Sequence, residues 1–426
     1  MVASGWGSRG SLYALFLLCL IGLVNYIDRV ALSILQVPIK NDLALTDAQI
    51  GMIVGFAFFV PYTLLSLPMA RLADRYNRKY LLIGALVVWS GMTAAIGYAD
   101  SFIALLLLRM GVAIGEACCL PTSYSLIADF FRPHQRGRAI AILGTSFPLG
   151  SMIGMVGAGM LAAAYGWQNA FLLIGGLGLL LVPLLLLTFR EPAREAIGEA
   201  VSTPPPPLGE AFRTLWGKRV FRYCLFGLST QAVVSIALLT WSAPFYVRVH
   251  GMSLANASLV LGVLIGGAGG LGTFLGGFLG DRLATRDPRW LMRLPALGAL
   301  VALPLGLGQF LVGDVRLSVG LGMVAALFAN VYLAPTYAVT QSLVGSNLRA
   351  FSSAALVTAA AVVGGAIGPW GVGALSDALT SRGEGPDAIG IAVCGALFAG
   401  LPAAWFYMRG SAHILDEAHG FVTPKA

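Results

Sequence analysis

Asp28 and Arg29 stand side by side in NYIDRVALSIL, residues 25–35, with the apolar run LYALFLLCLIGLV immediately before them. Arg109 and Glu116 stand seven residues apart in a second apolar run, RMGVAIGEACCL. A carboxylic acid in such surroundings can carry a proton, and a guanidinium fork suits carboxylate or phosphate. Seven residues are two helical turns, so Arg109 and Glu116 share one helix face. Asn25, Arg29, Ser33 and Gln36 follow a spacing of 4, 4 and 3 residues, which makes a polar helical stripe with Asp28 at its edge. A charge at the centre of a bilayer costs at least ~2.5–3.5 kcal/mol. The four charges should therefore face protein or water and pair, two acids against two arginines.

The elements that hold them are membrane helices. The chain of 426 residues is 58% hydrophobic and 11% charged, with a mean hydropathy of +0.82, far more apolar than a soluble domain. Runs of the roughly 20 residues needed to cross a ~30 Å hydrocarbon core fall near 11–38, 48–70, 80–98, 102–131, 137–165, 167–189, 220–247, 253–280, 291–312, 317–345, 350–376 and 388–408. The first is too long for a secretory leader and lacks a small-x-small cleavage site, so it is kept as a mature helix. With both termini cytoplasmic, the inner segments hold 21 of the 27 Lys and Arg, and the outer loops only Lys40, Arg248, Arg316 and Arg382. That bias sets the orientation and accounts for the net charge of +8 without nucleic acid.

Residues 190–219, charged and containing four consecutive prolines, read as a cytoplasmic linker. It separates an N-terminal six-helix bundle, 1–189, from a C-terminal six-helix bundle with a short cytoplasmic tail, 220–426. The halves echo one another. LPTSY at 120–124 answers APTYA at 334–338, an offset of 214, and ARLADRYNRK at 70–79 answers GFLGDRLATR at 277–286, an offset of 207. Similar offsets at equal places within each half indicate duplication. The larger offset sets Asn330 opposite Glu116 and Met323 opposite Arg109, and no Asp, Glu, Lys or Arg falls mid-helix in 220–408. Salt bridges required by the fold should recur in both halves, and these do not. The charge cluster therefore reads as functional, facing neutral polar groups of the second half such as Gln231, Asn330, Tyr332 and Tyr337.

Twelve helices as two pseudo-symmetric bundles, with a basic, acid-containing turn after the second helix of each, resemble the major facilitator superfamily over essentially the whole chain. Its loop pattern G-x-x-x-D-[RK]-x-G-x-[RK]-[RK] reads here as Ala70, Asp74, Arg75, Asn77 and Lys79, with Arg78 beside them and both glycines replaced. The second copy keeps Gly277, Asp281 and Arg282. Within that superfamily, NYIDR together with RMGVAIGEACCLPTSYSLIADFF at 109–131 is similar to the Spinster-like transporters. Arg109, Glu116 and Ala117 are in place, and Ile114 stands beside Gly115 where a glycine is expected. The anion:cation symporters share the aspartate–arginine pair but usually end helix four in a tryptophan–phenylalanine–proline segment, where this chain has Ala128–Asp129–Phe130–Phe131.

The resemblance implies a secondary, proton-coupled, alternating-access transporter rather than an enzyme. It implies an amphipathic substrate such as a sphingolipid or lysophospholipid; likeness to the symporters would imply a small organic anion instead, and multidrug-type efflux is a further reading. Asp28 and Glu116 are expected to carry the proton, and Arg29, Arg109, Asn25, Asn330, Tyr332, Tyr337 and Gln231 to meet the substrate. Asp74, Arg75 and Asp281, at the water interface, are expected to act in gating. The competing reading of the cluster is a lock between helices one and four. A monomer in a plasma or inner membrane is expected, with no cofactor and no metal. Gly267–Gly272 spells G-x-G-x-x-G inside a spanning helix, where close packing is the better reading than a dinucleotide site. The five cysteines read as small apolar residues, and the four histidines fall in loops or the tail. A receptor that binds without transporting is the alternative class.

Overall fold

The computed structural model describes residues 8–191, 208–344 and 348–417, and among them every regular element is helical. Eleven continuous stretches are long and apolar enough to cross a membrane. One of them, Pro133–Thr188, is two passes joined at Gly166, whose φ of 83° and ψ of 160° break the helix. Only glycine takes that backbone without strain, so the turn needs a single residue. The twelve passes are α1 (Arg9–Asp42), α2 (Asp47–Val54 and Phe56–Arg75), α3 (Arg78–Ile96), α4 (Phe102–Glu116 and Cys119–Phe130), and α5 and α6 on either side of Gly166. They continue with α7 (Arg219–Arg248), α8 (Leu254–Ala284), α9 (Trp290–Leu311), α10 (Val315–Asn330 and Leu333–Ser342), α11 (Arg349–Ala360 and Gly368–Thr380) and α12 (Ala388–Leu397 and Gly400–Glu417). A short helix, Leu208–Gly217, lies within the linker region.

The sequence-predicted spans match these passes, with two informative differences. The first helix runs on to Asp42 through Pro38, and the last runs to Glu417 rather than 408, which places His413 on a helix instead of in a tail. Polar side chains start several passes: Thr46 and Gln49 form a reciprocal capping box, and Asn77, Ser101, Ser253 and Asp314 cap α3, α4, α8 and α10.

The breaks in α4 and α10 share one cause. Pro121 and Pro335 have no N–H to donate to the carbonyls of residues 117 and 331, four positions earlier, so each helix opens there. Glu116 and Asn330, the pair matched by the repeat, are the last residues of the two upper segments. Duplication thus carried the kink into both halves while the side chain at the kink changed.

By contacts the chain forms two compact units, one of residues 1–198 with 252–262 and one of 199–251 with 263–426. Within each, small residues let backbones meet. In the first unit a Cβ on Gly150 or Gly154 of α5 would come within 2.7 Å of the α1 backbone at Leu23 or Ile27, so α1 is held on α5 through the stretch that carries Asp28. In the second, Gly272 and Gly276 of α8 lie on the α10 backbone at Leu327 and Val331. The glycine-rich segment of α8 therefore serves helix packing. Gly276→Val should lower the unfolding midpoint of the purified protein, consistent with an overpacking cost of about 1–3 kcal/mol. Gly371→Val, with nothing within 4 Å of its Cβ position, should leave that midpoint unchanged. Thermal unfolding followed by size-exclusion fluorescence measures both, and equal midpoints would rule out the packing role.

Candidate functional site

The first unit gathers its intramembrane charges into one crosswise arrangement. Arg29 on α1 donates from Nη2 and Nε to Glu116 Oε2 on α4, at 2.7 and 3.2 Å. Arg109 on α4 lies with Nη1 4.0 Å from Asp28 Oδ1 and donates from Nη2 to the Arg29 carbonyl at 3.0 Å. The adjacent residues Asp28 and Arg29 thus pair with different partners, both on α4. The two-turn spacing of Arg109 and Glu116 matches the cluster in depth, and the two ion pairs tie the same helices at two levels. Thr93 of α3 donates its hydroxyl to Asp28 Oδ2.

Aromatic rings complete the shell. The Phe58 ring of α2 lies between the two guanidiniums, with centroid distances of 4.7 Å to Arg29 and 4.6 Å to Arg109. Tyr26 and Tyr62 add their faces to Arg29 at 5.0 and 4.9 Å. A ring face attracts each cation and keeps the like charges apart. Tyr26 is stacked in turn on Phe147 of α5 at 4.7 Å. Gly115 fixes the height of Glu116, because a Cβ there would stand 2.8 Å from Trp89 on α3. Of the four charged side chains, Arg29 is 18% exposed while Glu116, Asp28 and Arg109 are at 0 to 2%. Arg29 is therefore the most accessible of the four. Asp28 Oδ1, Glu116 Oε1, Arg109 Nε and Nη1, and Asn25 Nδ2 have no hydrogen-bond partner among the described residues. Buried polar atoms with open capacity are where water or a substrate's polar atoms are accommodated.

The family model of the Major Facilitator Superfamily matches residues 18–369. A solved structure, a bacterial homolog to the human lysosomal transporter Spinster in an inward-facing and unoccupied conformation, is 31% identical with a TM-score of 0.86 over 99% of this chain and 100% of that one. Protein spinster homolog 1 of Bos taurus is 31% identical over 71% of this chain and 60% of its own length. The chain is a Spinster-like member of the Major Facilitator Superfamily. An MFS-type efflux pump of Mycolicibacterium smegmatis is 36% identical over 91% of this chain and 89% of its own. A hexuronate transporter of Bacillus subtilis is 30% identical over 66% of this chain and 67% of its own.

In this Spinster-like transporter the other residues singled out from sequence have their own surroundings within each unit. Gln231 on α7 is buried and donates to the Ala329 carbonyl at 3.0 Å. Asn330 is half-buried and donates back to the Ala326 carbonyl of its own helix at 2.8 Å. Tyr332 is buried, and Tyr337 half-buried against the core beside it. At the other end of the passes, Arg75 and Asp281 are exposed, and the Asp74 side chain lies outside the described residues. Sequence reasoning missed Thr93, Tyr26, Phe58 and Tyr62. The four-residue step from Phe58 to Tyr62 was the available signal, and it is common in membrane helices.

It also missed the ion-pair centre at the linker end of the first unit. Arg78, only 3% exposed, pairs with Asp129 on α4 at 2.5 Å and with Glu191 beyond α6 at 3.0 Å. Glu191 further accepts from the Arg78 and Lys79 backbone N–H groups at 3.0 and 3.3 Å, capping the start of α3. Burial opposes ionisation of Glu191, but these donors outweigh it and hold its carboxyl below the ordinary range. Such a group stabilises the fold above its unfolded value, roughly 4.3 for glutamate, and that contribution is lost as pH falls through the lower folded value. Glu191→Gln should therefore lower the unfolding midpoint at neutral pH and converge on the parent protein in acid. A gap that persists unchanged below that range would show that Glu191 acts through packing alone.

Proposed function

We propose that this Spinster-like transporter is a secondary active, proton-coupled carrier of an amphipathic, lipid-like substrate of the sphingolipid or lysophospholipid class, working by alternating access. The observation that carries the reading is the neutral crosswise cluster, in which each acid faces an arginine, three of the four side chains are buried, and Arg29 alone is partly exposed among three aromatic rings. A charged atom set among rings suits a ligand with a polar head and an apolar body. Likeness to Spinster proteins supports the substrate class, and likeness to an efflux pump supports export. Basic residues concentrated on the linker side support cytoplasmic termini in a plasma or inner membrane. The carrier acts as a monomer, and Asp74, Arg75 and Asp281 serve as a latch at that side.

The coupling follows from competition for the arginines. When Asp28 and Glu116 are ionised they neutralise Arg109 and Arg29. An anionic head group that takes Arg29 from Glu116 leaves a buried carboxylate unpartnered, and that acid then takes up a proton because an uncompensated buried charge is costlier than a neutral acid. Binding and protonation then assist one another, which is symport of an anion. A cationic or neutral head prefers the ionised acids, so protonation expels it, which is antiport. Asn25 supplies a neutral contact beside the cluster, and Gln231, Asn330, Tyr332 and Tyr337 are the neutral candidates for substrate contact within the second unit.

A second reading, proton-coupled uptake of a sugar acid or other carboxylate, is favoured by the paired guanidiniums and by the hexuronate-transporting relative. The sign of the pH dependence separates the two. On going from about pH 8 to about pH 6, affinity should rise for anionic ligands and fall for cationic amphiphiles, by up to about tenfold per pH unit for one coupled proton. Arg29→Ala should remove most of the dependence for anions. Binding of lysophospholipids, sphingoid bases and sugar acids to the purified protein measures it, and affinities that move in the same direction for both charge classes would overturn the competition. In proteoliposomes, Asp28→Asn should abolish proton-driven flux while retaining binding; undiminished pH-dependent flux in that variant would exclude Asp28 as the proton carrier.

A further inference from the structure

The second unit carries a groove where the short linker helix meets the start of α7 and the end of α12. Leu208–Gly217 docks through Ala211 and Leu215, which are buried in a core with Phe221, Cys224 and Tyr407. Its other aromatic residues turn outward: Phe212 is 49% and Trp216 39% exposed. Trp216 meets Phe226 of α7 edge-on at 6.2 Å, and Phe226 stacks on Phe406 of α12 at 5.4 Å. Tyr223 stacks on His413 at 6.0 Å. Together with Trp405, which is 52% exposed, these rings and the two arginines Arg219 and Arg222 enclose about 440 Å³.

Neither arginine side chain of this groove is in an ion pair among the described residues. Arg219 and Arg222 are one helical turn apart on α7 and so share a face. The neighbouring carboxylate, Glu417, is committed to the backbone, accepting from Arg219 and Val220 N–H at 2.9 and 3.0 Å. Arg409, over the Trp405 ring at 5.7 Å, and the adjacent Lys218 add positive charge, against Glu210 and Asp416 as the other acids of these helix ends. Tryptophan and tyrosine at the end of membrane helices occupy the headgroup level of a bilayer. Guanidinium forks there match phosphate.

We propose that this groove binds an anionic diacyl phospholipid, its phosphate between Arg219 and Arg222 and its chains along Phe226 and Trp405. The occupant is a lipid rather than a free phosphate because the walls are aromatic and open along the membrane helices. It is anionic because the walls carry two arginines and no carboxylate that would answer a choline or ethanolamine cation. The site lies within the second unit and is distinct from the substrate cluster of the first.

The full chain, reconstituted in phosphatidylcholine vesicles and titrated with phosphatidylglycerol brominated on its chains, provides the test through quenching of tryptophan fluorescence. Quenching should reach half its extent at a severalfold lower mole fraction of brominated phosphatidylglycerol than of brominated phosphatidylcholine. Arg219→Gln with Arg222→Gln should erase that preference, to which each arginine contributes at most about fivefold, while the double Lys variant, which keeps the charge and reports correct folding, should retain most of it. Trp216→Phe with Trp405→Phe should remove the preferential quenching. Arg29→Ala should leave it intact, so that a lipid in the substrate cluster is told apart. Equal quenching by both lipids, a preference that survives the double Gln variant, loss on Arg29→Ala, or displacement by soluble glycerol phosphate without chain quenching would each overturn the proposal. Because the readout is equilibrium binding, its failure leaves the transport reading untouched.

Discussion

An ionised side chain inside a bilayer-spanning unit must find its opposite, because the surroundings offer no water to solvate it. The first unit meets that constraint by crossing its partners. Arg29 reaches Glu116 and Arg109 approaches Asp28, so two helices are joined by four charges that sum to zero. Much of the local architecture exists to hold this geometry: Gly150 and Gly154 bring α5 onto α1, Gly115 sets α4 against α3, and Thr93 orients Asp28. A cluster that is neutral only while complete is also responsive. Disturbing any one member leaves another uncompensated.

The duplicated halves solve the same mechanical problem with different chemistry. Prolines at 121 and 335 interrupt α4 and α10 at equivalent places, which frees carbonyls and lets each helix bend. At the bend one half presents a buried glutamate paired across to α1, and the other an asparagine bonded back to its own helix. The fold therefore does not need the charges. A second buried polar set, in which Ser318 donates to the Gln309 carbonyl at 2.6 Å and both side chains approach the Tyr246 hydroxyl at 3.4 Å, shows how the second half joins its helices with neutral groups.

In both units a glutamate at or just beyond the end of the last pass caps the start of an earlier one. Glu191 receives the first N–H groups of α3, and Glu417 those of α7. A carboxylate answers the exposed donors and the positive end of the helix dipole together. The two caps differ in what surrounds them. Glu191 sits in an ion-pair centre with Arg78 and Asp129, whereas the arginines beside Glu417 remain unpaired among the described residues and face aromatic rings.

The twelve spans, the repeat and the four buried charges were all legible in the sequence, because hydrophobic length, helical period and the cost of a buried charge are local or compositional. Which acid takes which arginine was not legible, since Asp28 and Arg29 are neighbours in the chain and either could face α4. Nor was the ring of Phe58 between two guanidiniums, or the choice of Arg78, Asp129 and Glu191 as partners across gaps of roughly 50 to 110 residues. Those depend on how helices are rotated about their axes and how closely glycines let them approach. Rotation and approach are settled by the packing of many side chains at once, so only the tertiary structure could decide them.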